Sequence, residues 1–152
     1  EYLQTGKYNP RASVQTIANA MDVGAPSNFA RIIDLYKNDY NTIKTLISGA
    51  TYNDSQIKDA MNQCYQANKY VLDPHGACGY QALSDGLNEG EYGVFCETAH
   101  PAKFKDTVES AIGTEIEIPE RLAAFMKGSK QSVMMDNTFE NFKAFLMQEA
   151  QQ

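Results

Sequence analysis

Two stretches of this chain follow one grammar: a short apolar run, a polar loop, a proline, and then apolar residues at helical spacing. The first is "YVLDPHGACGYQAL", where Tyr70 to Leu72 lead to Asp73-Pro74 and Tyr80, Leu83 and Leu87 follow. The second is "YGVFCETAHPAKFKDTVESAI", running from Tyr92 through about Cys96 and Thr98 to His100 before a helix opens at Pro101. Proline suits the first helical position because the N–H it lacks has no partner there in any case. Read as strand, loop and helix in alternation, the pattern predicts an α/β fold, with short strands of a mostly parallel sheet flanked by helices. Such sheets carry their chemistry at the carboxyl ends of strands, where "DPHGACGY" and "ETAHPAKF" fall.

The remaining helices are read from periodicity and caps. In "GAPSNFARIIDLY", Ser27 stands where a cap belongs, and Phe29, Ile32, Ile33 and Tyr36 recur at three and four. "NTIKTLIS" places Ile43, Leu46 and Ile47 on one face, and "NDSQIKDAMNQCYQANKY" opens a further helix at an Asp54 or Ser55 cap. "EIEIPERLAAFM" reads as a short extended piece followed by a helix begun at Pro119. The end, capped by Asn137 or Thr138, turns Phe139, Phe142, Phe145 and Leu146 inward. The organisation expected is a connecting segment over 1–24, a helical part over 25–69 and strand–helix units over 70–152, together a single segment of a longer polypeptide. The absence of an initiating Met at Glu1 supports that expectation.

Composition narrows the partners. The 152 residues carry a net charge of -6 and no Lys/Arg cluster, so nucleic acid, whose phosphates need a basic patch, is not expected. Cys64, Cys78 and Cys96 are too irregularly spaced for a disulfide framework or a zinc site, and reduced thiols fit a cytoplasmic setting. No apolar run approaches the roughly 20 residues of a membrane span, and no signal-peptide pattern occurs. A protein of the cytoplasm with neither membrane nor metal is expected.

Candidate site residues follow from the loops. Ser27, Asn28 and Arg31 at a helix mouth offer backbone N–H groups and a cation to a phosphate; an ordinary N-cap beside a solvated arginine is the simpler alternative. His75 sits between Asp-Pro and Gly76, so its ring either reaches a ligand or merely completes a turn. His100 and Lys103 share a helix start, and Thr98 presents a hydroxyl that either meets a ring nitrogen or caps the helix. The cysteines lack basic neighbours that would lower their pKa, and Cys78 and Cys96 read as small core residues. Lys105 falls on the solvated face of an amphipathic helix. Nucleophile elbows, phosphate loops, zinc-protease helices and dinucleotide fingerprints are all missing.

Taken together, "SVQTIANAMDVGAPSNFARI", "YVLDPHGACGYQAL" and "ETAHPAKF" resemble the threonine synthase family, in its bacterial and fungal branch, in the right order from Tyr2 to about Phe104. The resemblance implies the C-terminal part of a fold-type II pyridoxal-phosphate enzyme of the tryptophan-synthase-β type, converting O-phospho-L-homoserine and water to L-threonine and phosphate. It implies that Thr98 lies beside the cofactor's pyridine nitrogen, where a neutral hydroxyl keeps the ring a moderate electron sink. It also implies that Asn28 and Arg31, in "SNFAR", and His75 lie near the substrate. The family's Schiff-base lysine and glycine-rich phosphate loop belong to an earlier segment, so no catalytic lysine is expected here. The chain alone should be inactive and should require the N-terminal part of the same polypeptide. A stand-alone binding or regulatory module with the same fold is the alternative.

Overall fold

A computed structural model describes residues 1–149. Among these residues there are eight α-helices: α1 (Tyr2–Thr5), α2 (Phe29–Leu35), α3 (Tyr40–Leu46), α4 (Asp54–Asn68), α5 (Pro74–Gly86), α6 (Lys105–Ile112), α7 (Glu120–Met126) and α8 (Phe139–Glu149). Single 3-10 turns add Asn19–Met21 and Pro101–Phe104. The chain divides into two compact units, 1–117 and 118–152.

The first unit is organised by α4, the longest helix. Its start is closed reciprocally: the Asn53 side chain accepts from the Gln56 N–H and the Gln56 side chain from the Asn53 N–H, both at 3.0 Å. Asn53 is therefore the cap, one residue before the Asp54 or Ser55 that the sequence suggests. Ile57, Ala60, Met61 and Cys64 recur on one face, and all are buried. That face packs against α5 and α6, which contribute Ala77, Val108 and Ile112, while Leu72 fills the core from the segment before α5. Lys69, in the left-handed conformation at φ 56°, turns the chain back out of α4.

Helices α1 to α3 gather around aromatic rings. Tyr2 meets Phe29 edge-on at 4.7 Å and Tyr40 at 5.7 Å, and Tyr8 stacks on Phe29 at 4.4 Å. The Tyr40 hydroxyl donates to the Leu3 carbonyl at 3.0 Å, so the polar end of that ring is satisfied. The irregular 1–24 segment is tied down by Asp22, which accepts from the Thr16 hydroxyl and N–H at 2.7 and 2.8 Å. Beyond it, the Ile17 N–H donates to Asp54 at 3.2 Å.

In the second unit, Pro119 precedes α7 without a side-chain cap, and the Thr138 carbonyl accepts from the Phe142 N–H at 3.2 Å to begin α8. The periodicity of α8 is real, but its inward face is not: Phe139, Phe142 and Leu146 are exposed, and only Phe145 is half-buried.

The expected mostly parallel sheet does not exist among the described residues, which contain no strand. Tyr70 to Asp73 and Tyr92 to Glu97 belong to neither a helix nor a strand ladder. Tyr92 and Val94 are 98% and 91% exposed, so the second run lacks any neighbouring strand. The reason lies in the prolines. A residue before proline is driven out of the helical region and an N-cap is extended in its own right, so Asp73 (ψ 163°) and His100 (ψ 132°) are extended on both counts. A proline-started helix thus brings one extended residue before it, and an apolar run ahead of that residue imitates a strand ending in a loop.

The cap of α4 is testable. Asn53→Ala should lower the unfolding free energy by about 1 kcal/mol, measured by urea denaturation, whereas exposed Ser55→Ala should stay within about 0.5 kcal/mol of wild type.

Candidate functional site

The two proline-started helices bring their approach loops together. Asp73, fully buried, caps α5: its Oδ1 accepts from the His75 N–H at 2.9 Å. The His75 ring folds back onto the same oxygen, with Nδ1 at 2.5 Å, and lies 4.8 Å from the Phe104 ring. A proton on Nδ1 is what this contact requires. Gly76 follows in the first turn, and its lack of a side chain makes a notch: a Cβ built there would overlap the carboxyl of Glu97. Glu97 comes from the other loop.

With both carboxyl groups ionised, Asp73 Oδ2 and both Glu97 oxygens would be buried without a donor. A proton on Glu97 resolves this for Asp73 Oδ2 and for the Glu97 oxygen that carries it, because an ionised carboxylate only accepts while a carboxylic acid donates. Burial pushes Glu97 up to about 8, reinforced by the hydrogen bond with Asp73 and by the Asp73 charge. Burial also lifts Asp73, but hydrogen bonds from Glu97 and from the His75 backbone and ring outweigh it and hold Asp73 below the usual carboxylate range. One proton therefore serves two carboxyl groups. Burial pushes the Cys64 and Cys78 thiols up, and at Cys78 the Asp73 charge adds to it. Among the described residues no group of three His, Cys, Asp or Glu side chains is arranged to hold a metal ion.

Thr98 follows Glu97 directly. Its side chain is exposed and has no hydrogen-bond partner among the described residues. The cap that sequence left open to Thr98 belongs to His100, whose Nδ1 accepts from the Ala102 N–H at 3.1 Å. Lys103 is exposed, whereas Lys105 is half-buried and ion-paired with Glu109. Glu109 also accepts from the Ile116 N–H at 2.8 Å, fastening the turn after α6. Cys78 is half-buried beside the core, but Cys96 is exposed, contrary to its reading as a core residue.

The other two candidates lie on α2. Asn28 and Arg31 are exposed, and Asn28 makes no side-chain cap. The first amides of α2 are directed backward, the Phe29, Ala30 and Arg31 N–H groups reaching the Pro26, Ser27 and Asn28 carbonyls at 3.4, 3.4 and 3.0 Å. Among the described residues neither Asn28 nor Arg31 hydrogen-bonds or ion-pairs with His75 or Thr98. The structure joins His75 to Thr98 through Asp73 and Glu97. Those two acids escaped the sequence reading as site residues. The Asp-Pro step marks Asp73 as a cap, but no local signal marks Glu97 as its partner.

The shared proton has a consequence for stability. Glu97 ionises near pH 4.3 in an unfolded chain, by the usual value of about that size, and near 8 when folded. Its contribution is fully present below the unfolded value and is lost as pH rises through the folded one. Asp73, held low, contributes above the usual carboxylate range and loses that contribution only as pH falls through its lowered value. The thermal midpoint should therefore fall between about pH 5 and pH 9, and Glu97→Gln should flatten that part of the profile.

Comparison with known proteins bears on the chain as a whole. The family profile described as "Threonine synthase, C-terminal" matches residues 76–146. The threonine synthase of Haemophilus influenzae is 39% identical over 96% of this chain and 34% of its own length. The crystal structure of threonine synthase from Escherichia coli superposes with a TM-score of 0.83 at 34% identity, covering 97% of this chain and 34% of that one. A structure described as PLP-bound threonine synthase from Brucella melitensis reaches a TM-score of 0.73 at 23% identity and speaks to the fold alone. The chain spans about a third of the length of these relatives. No helix among the described residues is long and apolar enough to cross a membrane. By matched residues, identity and superposition, this chain is similar over nearly its whole length to about a third of threonine synthase, and its residues 76–146 match that enzyme's C-terminal profile.

Proposed function

We propose that this chain forms one wall of a threonine synthase active site, completed by the N-terminal part of the same polypeptide. The enzyme so formed is a pyridoxal-phosphate lyase of the cytoplasm that converts O-phospho-L-homoserine and water to L-threonine and phosphate; the chain by itself is inactive. Bound pyridoxal phosphate supplies the electron sink for carbanion chemistry. The observation that carries the reading is Thr98: an exposed hydroxyl without a partner among the described residues, carried on a loop whose preceding residue is half-buried with its carboxyl oxygens inside. Such a hydroxyl fits a pyridine nitrogen, since it can donate to or accept from it without adding charge. A carboxylate there would hold the ring protonated and strengthen the sink.

Asn28 and Arg31 are assigned to the substrate side of the cleft, where an exposed amide and a guanidinium suit an anionic amino-acid phosphate. His75 is assigned to the same side from beneath, its Nε2 being buried and without a hydrogen-bond partner. Lys105, held by Glu109, is unsuited to carry the cofactor, in keeping with a lysine supplied from outside this chain.

In the full-length enzyme, Thr98→Val should shift the absorbance of the bound cofactor and slow turnover roughly tenfold, the scale of one lost hydrogen bond. Being an exposed site, it should leave stability within about 0.5 kcal/mol. Wild-type spectrum and kinetics in that variant would remove Thr98 from the cofactor ring.

A further inference from the structure

Thr98 is exposed and lies outside any helix, without a side-chain hydrogen bond among the described residues, so nothing in its own side chain fixes where its hydroxyl points. A group that orients a cofactor ring has to be held within a fraction of an ångström, and that requires buried support behind it. Such support adjoins it on one side. The Glu97 carboxyl is buried while the neighbouring Thr98 is exposed. Its carboxyl fills the notch over Gly76 in the first turn of α5. Asp73, which caps that turn, has Oδ1 committed to the His75 backbone and ring, while its Oδ2 and both Glu97 oxygens are buried with no other hydrogen-bond partner among the described residues. The backbone carrying Thr98 is thereby fastened to a helix that forms part of the core.

We propose that Glu97 is a positioning residue for the cofactor: its carboxyl, seated on Gly76 and hydrogen-bonded as a donor to Asp73, fixes the loop that presents Thr98 to the pyridine ring. This rests on the reading of Thr98 given above. A purely structural glutamate is distinguished from it by two features. The donor, not the charge, is what matters, so an amide replaces the acid. And the effect reaches the cofactor's spectrum, which loss of stability alone does not shift in the folded enzyme.

The experiment uses the full-length enzyme, with pyridoxal phosphate as the probe and its absorbance band and affinity as readouts. Glu97→Gln keeps a donor for Asp73, and both readouts should stay within about twofold of wild type. Glu97→Ala should weaken cofactor affinity about tenfold and shift the band in the direction given by Thr98→Val. Gly76→Ala, which displaces the carboxyl without removing it, should shift the band the same way. A folded Glu97→Ala with wild-type band and affinity overturns the proposal, and so does a Glu97→Gln enzyme as impaired as the alanine variant. If Glu97→Ala does not fold, Gly76→Ala decides: a shifted band supports the proposal and an unshifted one overturns it. Failure of the underlying reading is recognised separately, because Thr98→Val is then silent whatever Glu97 does. Failure of the positioning role alone leaves Thr98→Val perturbed and the Glu97 and Gly76 variants silent.

Discussion

Two buried carboxyl groups with one proton between them join the parts of this chain that matter for its site. Asp73 ends the approach to α5 and caps that helix, while Glu97 reaches across from the approach to Pro101. An unmatched polar group inside a protein costs about 1–3 kcal/mol, and an unmatched charge more. Two ionised carboxylates in this pocket would repel each other and lack donors. The proton on Glu97 converts the conflict into a bond, and the His75 N–H and Nδ1 satisfy the remaining charge on Asp73. Gly76 is required because any side chain would occupy the same space.

The rest of the first unit serves that junction. Met61 and Leu72 are fully buried, and with Val108 they lock α4, α5 and α6 together beneath the two loops. The Phe104 ring covers His75 from the far side. On the function proposed above, this makes Thr98 the outer end of a chain of contacts that begins in the core. It also gives a reason for a helical scaffold to carry an exposed hydroxyl outside any helix: the rigidity comes from the neighbouring residue.

What the sequence makes readable is what local chemistry determines. Periodicity marks α2, α3, α4 and α8, and prolines mark the starts at 74, 101 and 119, because caps, prolines and apolar spacing act within a few residues. Partners are another matter. The apolar runs at Tyr70 and Tyr92 look like strands, yet a strand exists only through its neighbour, and none is present among the described residues. The apolar face of α8 is likewise visible in sequence, while its exposure is not. Thr98 and His75 were found through motifs; the link between them was hidden, because Asp73 and Glu97 meet only after folding. His100, a candidate base by its residue type, proves to be the cap that leaves Thr98 unencumbered.

The central claim is that Glu97 holds the proton shared with Asp73. Its direct measurement is an NMR titration of the side-chain carboxyl carbons in the folded protein. The Glu97 resonance should titrate at a midpoint of about 8, while Asp73 stays ionised until below the usual carboxylate range. A Glu97 midpoint near the ordinary glutamate value of about 4.3 would contradict it.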